Sequence, residues 1–186
     1  MTLQEVKGII KQFEYYQMLA DKTISLLSQD ELNWKYNEES NSIAMIMRHI
    51  TGNLISRFTN FFTEDGEKTW RDRDNEFAKG TYEKEAVVAN WIKGWEVLFS
   101  VLDSITVDNI DFVIKIRNQD HTVAEALYRQ LAHYPYHIGQ IVFLGKLIKN
   151  TEWKSLSIPR NKSQDYNTEK FSQSNSYTHF TDDYLK

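Results

Sequence analysis

Two histidines stand one helical turn apart in His133-Tyr134-Pro135-Tyr136-His137, and a third, His49, lies in the apolar stretch Ile46-Met47-Arg48-His49-Ile50. A His-x-x-x-His pair on a helix presents both imidazoles on one side. That spacing suits two positions around a divalent ion, at about 2.0–2.1 Å each. His49, from a facing helix, is the candidate third ligand. Three neutral imidazoles leave one position open to water or substrate, whose pKa an ion lowers, which is the pattern of a catalytic rather than a closed structural site. Position 134 is tyrosine where the His-Glu-x-x-His zinc proteases carry their glutamate base, so that chemistry is disfavoured. A single histidine on a helix flank is more often a hydrogen-bonded core residue than a ligand, so the weight rests on the pairing. His121 and His179 are expected at the surface, with either as a substitute ligand.

Composition narrows the donors. Among 186 residues there is no cysteine, which removes thiolate zinc sites, iron–sulfur clusters, disulfides and a cysteine nucleophile. Any metal must be held by histidine, carboxylate or amide. Acidic residues number 26 against 22 basic ones, a net charge of −4, which excludes a globally basic nucleic-acid scaffold. No apolar run approaches the ~18 residues of a membrane span. The start, Met1-Thr2-Leu3-Gln4-Glu5, lacks a basic-then-apolar signal, so a cytoplasmic protein without membrane partners is expected. No glycine-rich phosphate loop and no Gly-x-Ser-x-Gly elbow occurs.

The elements that must position the histidines follow from periodicity. Two prolines and seven glycines leave few breaks, favouring an all-α chain. Apolar residues at three- and four-residue steps predict helices over residues 3–28, 42–62, 83–103 and 122–149. Thr122-Val123-Ala124-Glu125 has the form of a capping box at the last start. Before it, Phe112, Ile114 and Ile116 alternate with Val113, Lys115 and Arg117, reading as a short strand and a turn at Asn118-Gln119-Asp120. At about 100° per residue, His49, Asn53 and Arg57 climb one flank of the second helix into its apolar face, and His133 and His137 lie beside the buried centre of the fourth. Pro135 removes a helical N–H between them and predicts a bend. An arginine as deep as Arg57 needs a partner, expected among Asp72, Asp74 and Glu76. The twenty-residue link over 63–82 should be ordered, since links that long usually have a job. The aromatic-rich tail from Asn150 should pack in part, with residues 153–160 folding back.

The order of Met47-Arg48-His49-Ile50-Thr51-Gly52-Asn53, then His133-x-x-x-His137 followed by Gly139-Gln140-Ile141, resembles the DinB/YfiT-like superfamily. The branch it resembles most is a bacterial DinB-like family of unknown function. That likeness rests on Asn53-Leu54-Ile55-Ser56-Arg57, Gly66-Glu67-Lys68, Arg71-Asp72-Arg73-Asp74-Asn75-Glu76-Phe77 and Ser155-Leu156-Ser157-Ile158-Pro159-Arg160. The resemblance covers most of residues 1–165. It implies a DinB-like four-helix bundle over 1–165, a C-terminal tail over 166–186 that is partly packed or flexible, frequent homodimers, and a zinc or nickel ion on His49, His133 and His137. Some members of the superfamily transfer a low-molecular-weight thiol to electrophiles. The chain departs from its relatives at Pro135, and at Asn161, where glycine is common.

Two functions compete. In one, the ion activates a thiol or water for transfer to, or hydrolysis of, a small molecule. Arg57 and Arg160 are then candidate substrate anchors, beside Arg71, Arg73 and Lys162, because guanidinium forks suit anions. Arg57 has the competing role of a structural ion pair. In the other, the chain is a non-catalytic, metal-binding or metal-free dimeric bundle.

Overall fold

Thr2 starts the first helix. Its hydroxyl accepts the Glu5 amide while the Glu5 carboxylate accepts the Thr2 amide, a reciprocal cap that satisfies two free donors. The computed structural model describes residues 1–185, so Lys186, the end of the expected tail, lies outside them. Helix α1 spans Leu3–Ser25, α2 Gln29–Asn33, α3 Ile43–Phe58, α4 Arg73–Glu76 and α5 Lys84–Asp103. Strands β1 (Val113–Ile116) and β2 (Gln119–Thr122) form an antiparallel hairpin, followed by α6 (Val123–Lys149) and α7 (Ser163–Ser172). The described residues are thus mostly helical, with a small two-stranded hairpin.

Several boundaries moved for local reasons. The expected helix over 3–28 ends at Ser25, because Ser28 and Glu31 form a second capping box that starts the separate helix α2. The expected helix over 42–62 ends at Phe58, and Asn60 adopts φ 52°, a left-handed backbone that asparagine tolerates and a helix cannot. The hairpin turn is Arg117-Asn118, one step earlier than read, with φ 54° and 58°. The pair joins Ile116 and Gln119 as a two-residue turn with both φ values positive. Thr122 caps α6 with Glu125 as expected, and α6 runs unbroken through Pro135.

The long helices α1, α3, α5 and α6 share one apolar core. Phe13 of α1, Trp95 of α5 and Tyr134 of α6 meet ring to ring, with centroids 5.8–6.4 Å apart, and each is essentially unexposed. Rings buried this fully contribute roughly 1.5–3 kcal/mol each. Where α3 meets α5, Gly94 lets the Leu54 side chain and the Thr51 backbone approach to 3.2–3.4 Å from where a Cβ would stand. Among the described residues no helix is long and apolar enough to cross a membrane.

The tail packs differently from expectation. Trp153 and Leu156 are half-buried, but Ile158, Pro159 and Arg160 are exposed, so the fold-back over 153–160 is confined to its start. The firm contact comes later: Thr181 is fully buried, Lys11 pairs with Asp182, and Tyr15 of α1 meets Phe180 and Tyr184 at 5.8 and 5.3 Å. Asn161 adopts φ 66°, a left-handed backbone that asparagine tolerates and glycine adopts freely.

Candidate metal centre

Helix α3 carries His49 into the core, 4% exposed, and α6 brings His133 and His137 to face it, half-buried. One nitrogen from each ring lies within 4.8 Å of the others. His49 Nε2 and His133 Nε2 are 3.2 Å apart, close to the ~3.3 Å between two donors that each sit about 2.0–2.1 Å from a tetrahedral ion. The three ring centroids are 4.8–5.3 Å from one another.

Two of the three imidazoles have their orientation set from behind. His49 Nδ1–H donates to Glu76 Oε2 at 2.8 Å, which leaves the Nε2 lone pair facing His133. His137 Nδ1–H donates to Gln140 Oε1 at 3.3 Å, freeing its Nε2 likewise. Burial, reinforced by the neighbouring histidines and by Arg71 and Arg57, pushes the His133 pKa down to about 3. Burial lowers His137 too, against the Gln140 hydrogen bond. Both rings are therefore neutral at pH 7, the state a ligand needs. Three imidazole nitrogens placed in this way could hold a metal ion.

Glu76 is the residue that sequence reasoning placed wrongly. It comes from α4, in the long link, and Arg71 grips it with Nε on Oε1 at 2.8 Å and Nη2 on Oε2 at 3.0 Å. Burial opposes ionisation of Glu76, but the hydrogen bonds from His49 and Arg71 and the Arg71 charge outweigh it, so its pKa lies below the usual carboxylate value. Room for this carboxylate depends on Gly52, one turn after His49 on α3. A Cβ there would lie 2.1 Å from Glu76 Oε1 and 2.8 Å from Cδ. Phe77 then covers the His49 ring, centroids 4.8 Å apart. The signal was present as Gly52 three residues after His49, but nothing in the sequence tied it to Glu76.

The expected partner of Arg57 is corrected. Because α3 stops at Phe58, the chain doubles back, and Arg57 donates to the Gly66 carbonyl and pairs with Glu67 at 3.0 Å. Asp72 instead caps α4. Arg57 nevertheless lines the cavity in front of the histidines, a space of about 470 Å³ that Asn53, Gln130, Tyr136 and Gln140 also line. Tyr134 O–H donates to Asn53 Oδ1 at 3.0 Å, fastening α6 to α3 behind it. Arg160 and Lys162 do not line this cavity. His121 sits on β2 beside Arg129, and His179 caps the turn Phe180–Asp183, so neither joins the three.

The profile of a family described as "Protein of unknown function (DUF1572)" matches residues 2–162. The chain belongs to the DUF1572 family. The match includes all three histidines, Glu76 and the cavity arginines, while α7 and the docked end of the tail lie beyond it. Comparison of this DUF1572 chain with curated proteins and with solved structures finds no match.

Proposed function

We propose that this DUF1572 protein is a DinB-like four-helix bundle that holds one zinc or nickel ion on His49, His133 and His137 and acts on a small molecule. The reaction is transfer of a thiol to that molecule or its hydrolysis by water. One observation carries the reading: three imidazole donors, two of them fixed from behind by Glu76 and Gln140, converge on the floor of a cavity of metabolite size. A divalent ion there supplies Lewis acidity and lowers the pKa of a bound thiol or water. The chain does the rest. Glu76 holds the His49 proton on Nδ1, Arg71 keeps Glu76 ionised, burial keeps His133 unprotonated, and Arg57 presents a guanidinium to the cavity. Residues 1–165 form the functional domain and 166–186 an appendage. The working form is a cytoplasmic homodimer. Arg160 is left out of the substrate site because it does not line the cavity.

The test is metal analysis followed by thiol-transfer and hydrolase screens on zinc-loaded, nickel-loaded and EDTA-treated protein. Turnover that requires the ion and disappears in His137→Ala supports the reading. One ion bound tightly with no turnover on any substrate favours the non-catalytic alternative, and no ion bound overturns both metal readings.

A further inference from the structure

We propose that the cavity beside the histidines is an oxyanion site, and that its ligand is a small molecule bearing a carboxylate or phosphate group. The inference deepens the function proposed above and rests on it for the reaction, not for the binding. In a chain whose net charge is −4, Arg57, Arg71, Arg73, Arg117 and Arg129 all line this one cavity, and none of its lining residues is acidic. They arrive from α3, from the link and α4, from the hairpin turn and from α6, so no single helix face explains their meeting.

The arginines divide into a wall and a rim. Arg57 and Arg71 are buried and tied to Glu67 and Glu76. Arg117 shares Glu67 at 3.1 Å. At the rim, Arg73 meets the face of Phe77 at 5.5 Å and Arg129 meets His121 at 3.5 Å. Among the described residues neither has a carboxylate partner. Two guanidinium forks without counter-charge, backed by a third shared one, attract and orient an anion with paired N–H donors.

Two further observations point to a ligand. The Nε of Arg57 has no hydrogen-bond partner, although this residue is 5% exposed and lines the cavity. A buried donor of this kind is costly unless an acceptor meets it. Arg117 is also placed against backbone preference. Its φ of 54° is a left-handed conformation that asparagine or glycine adopts more readily. The Asp65 carboxylate accepts both the Arg117 and Asn118 amides, at 2.8 and 2.6 Å, to hold the turn. The turn thus keeps a guanidinium at the cavity where a glycine would fold more easily.

The experiment is calorimetric titration at low ionic strength with inorganic phosphate and with malonate, on full-length protein in zinc-loaded and EDTA-treated forms. The variants are Arg73→Gln, Arg129→Gln and, as a charge-matched control on the exposed end of α6, Lys146→Gln. Both anions bind the EDTA-treated parent. Each rim variant weakens them about tenfold or more, as loss of a charged hydrogen bond does, while Lys146→Gln stays within about twofold and zinc titrations are unchanged in all three. No anion binding by the parent, or equal weakening by Lys146→Gln, overturns the site. Anion binding that survives while zinc does not bind leaves the inference standing and removes the metal reading instead.

Discussion

Gly52→Ala isolates the carboxylate behind His49 without touching a ligand. The new Cβ would stand 2.1 Å from Glu76 Oε1, so the carboxylate must retreat by about 1.3 Å or more to reach ordinary contact. A free glutamate would swing aside at little cost. This one is clamped by His49 at 2.8 Å and by both Arg71 contacts, so retreat breaks or lengthens charged hydrogen bonds worth roughly 1.5–3 kcal/mol each. Opposing this, alanine is favoured over glycine in a helix interior by about 0.5–1 kcal/mol, so the sum is a net loss of stability. With His49 no longer oriented, zinc affinity should fall about 10–100-fold, the usual effect of losing a ligand's hydrogen-bond partner. Gly139→Ala on α6 is the control, because its Cβ would meet nothing within 4 Å. It should stabilise the helix and leave zinc binding alone. The assay is zinc calorimetry together with the melting temperature of EDTA-treated protein. If Gly52→Ala binds zinc and melts like Gly139→Ala, Glu76 does not support the site and the reasoning fails.

Three more outcomes follow from the same geometry. His133 has its pKa pushed down to about 3 by burial and about 6.5 when unfolded. Between those values only the unfolded chain takes up the proton, so EDTA-treated protein should lose stability as pH falls below about 6.5; melts at pH 7.5 and 5.0, with His133→Gln showing a flatter dependence, check the sign, and equal slopes would contradict it. Tyr134→Phe leaves Asn53 Oδ1 without its buried donor and should cost about 1–3 kcal/mol in denaturant unfolding, whereas an unchanged midpoint would mean the bond contributes nothing. Truncation after Lys162 removes the Lys11–Asp182 pair and the rings on Tyr15; it should lower the melting temperature by several degrees with zinc affinity intact, and a weakened site would show that the tail reaches further than its contacts.

The parts of the site that local spacing encodes were readable in advance. His133 and His137 share a face because they are four residues apart, and Thr122 with Glu125 announces the start of α6. Glu76 was visible only as one of several acids in a link, since no periodicity tells which residue of an irregular segment turns inward. The mistaken partner of Arg57 has the same origin: the helix stops at Phe58, and the reversal at Asn60 that brings Glu67 home depends on one left-handed residue. The meeting of Arg73 with Arg117 and Arg129 brings α4 against the hairpin and α6, which lie far along the chain from it, and so no motif records it.

The central claim is most directly tested by diffraction from zinc-soaked crystals, with anomalous differences measured on both sides of the zinc edge. One peak should lie about 2.0–2.1 Å from a nitrogen of each of His49, His133 and His137. A map with no peak there, or with zinc only on surface groups, would contradict the account.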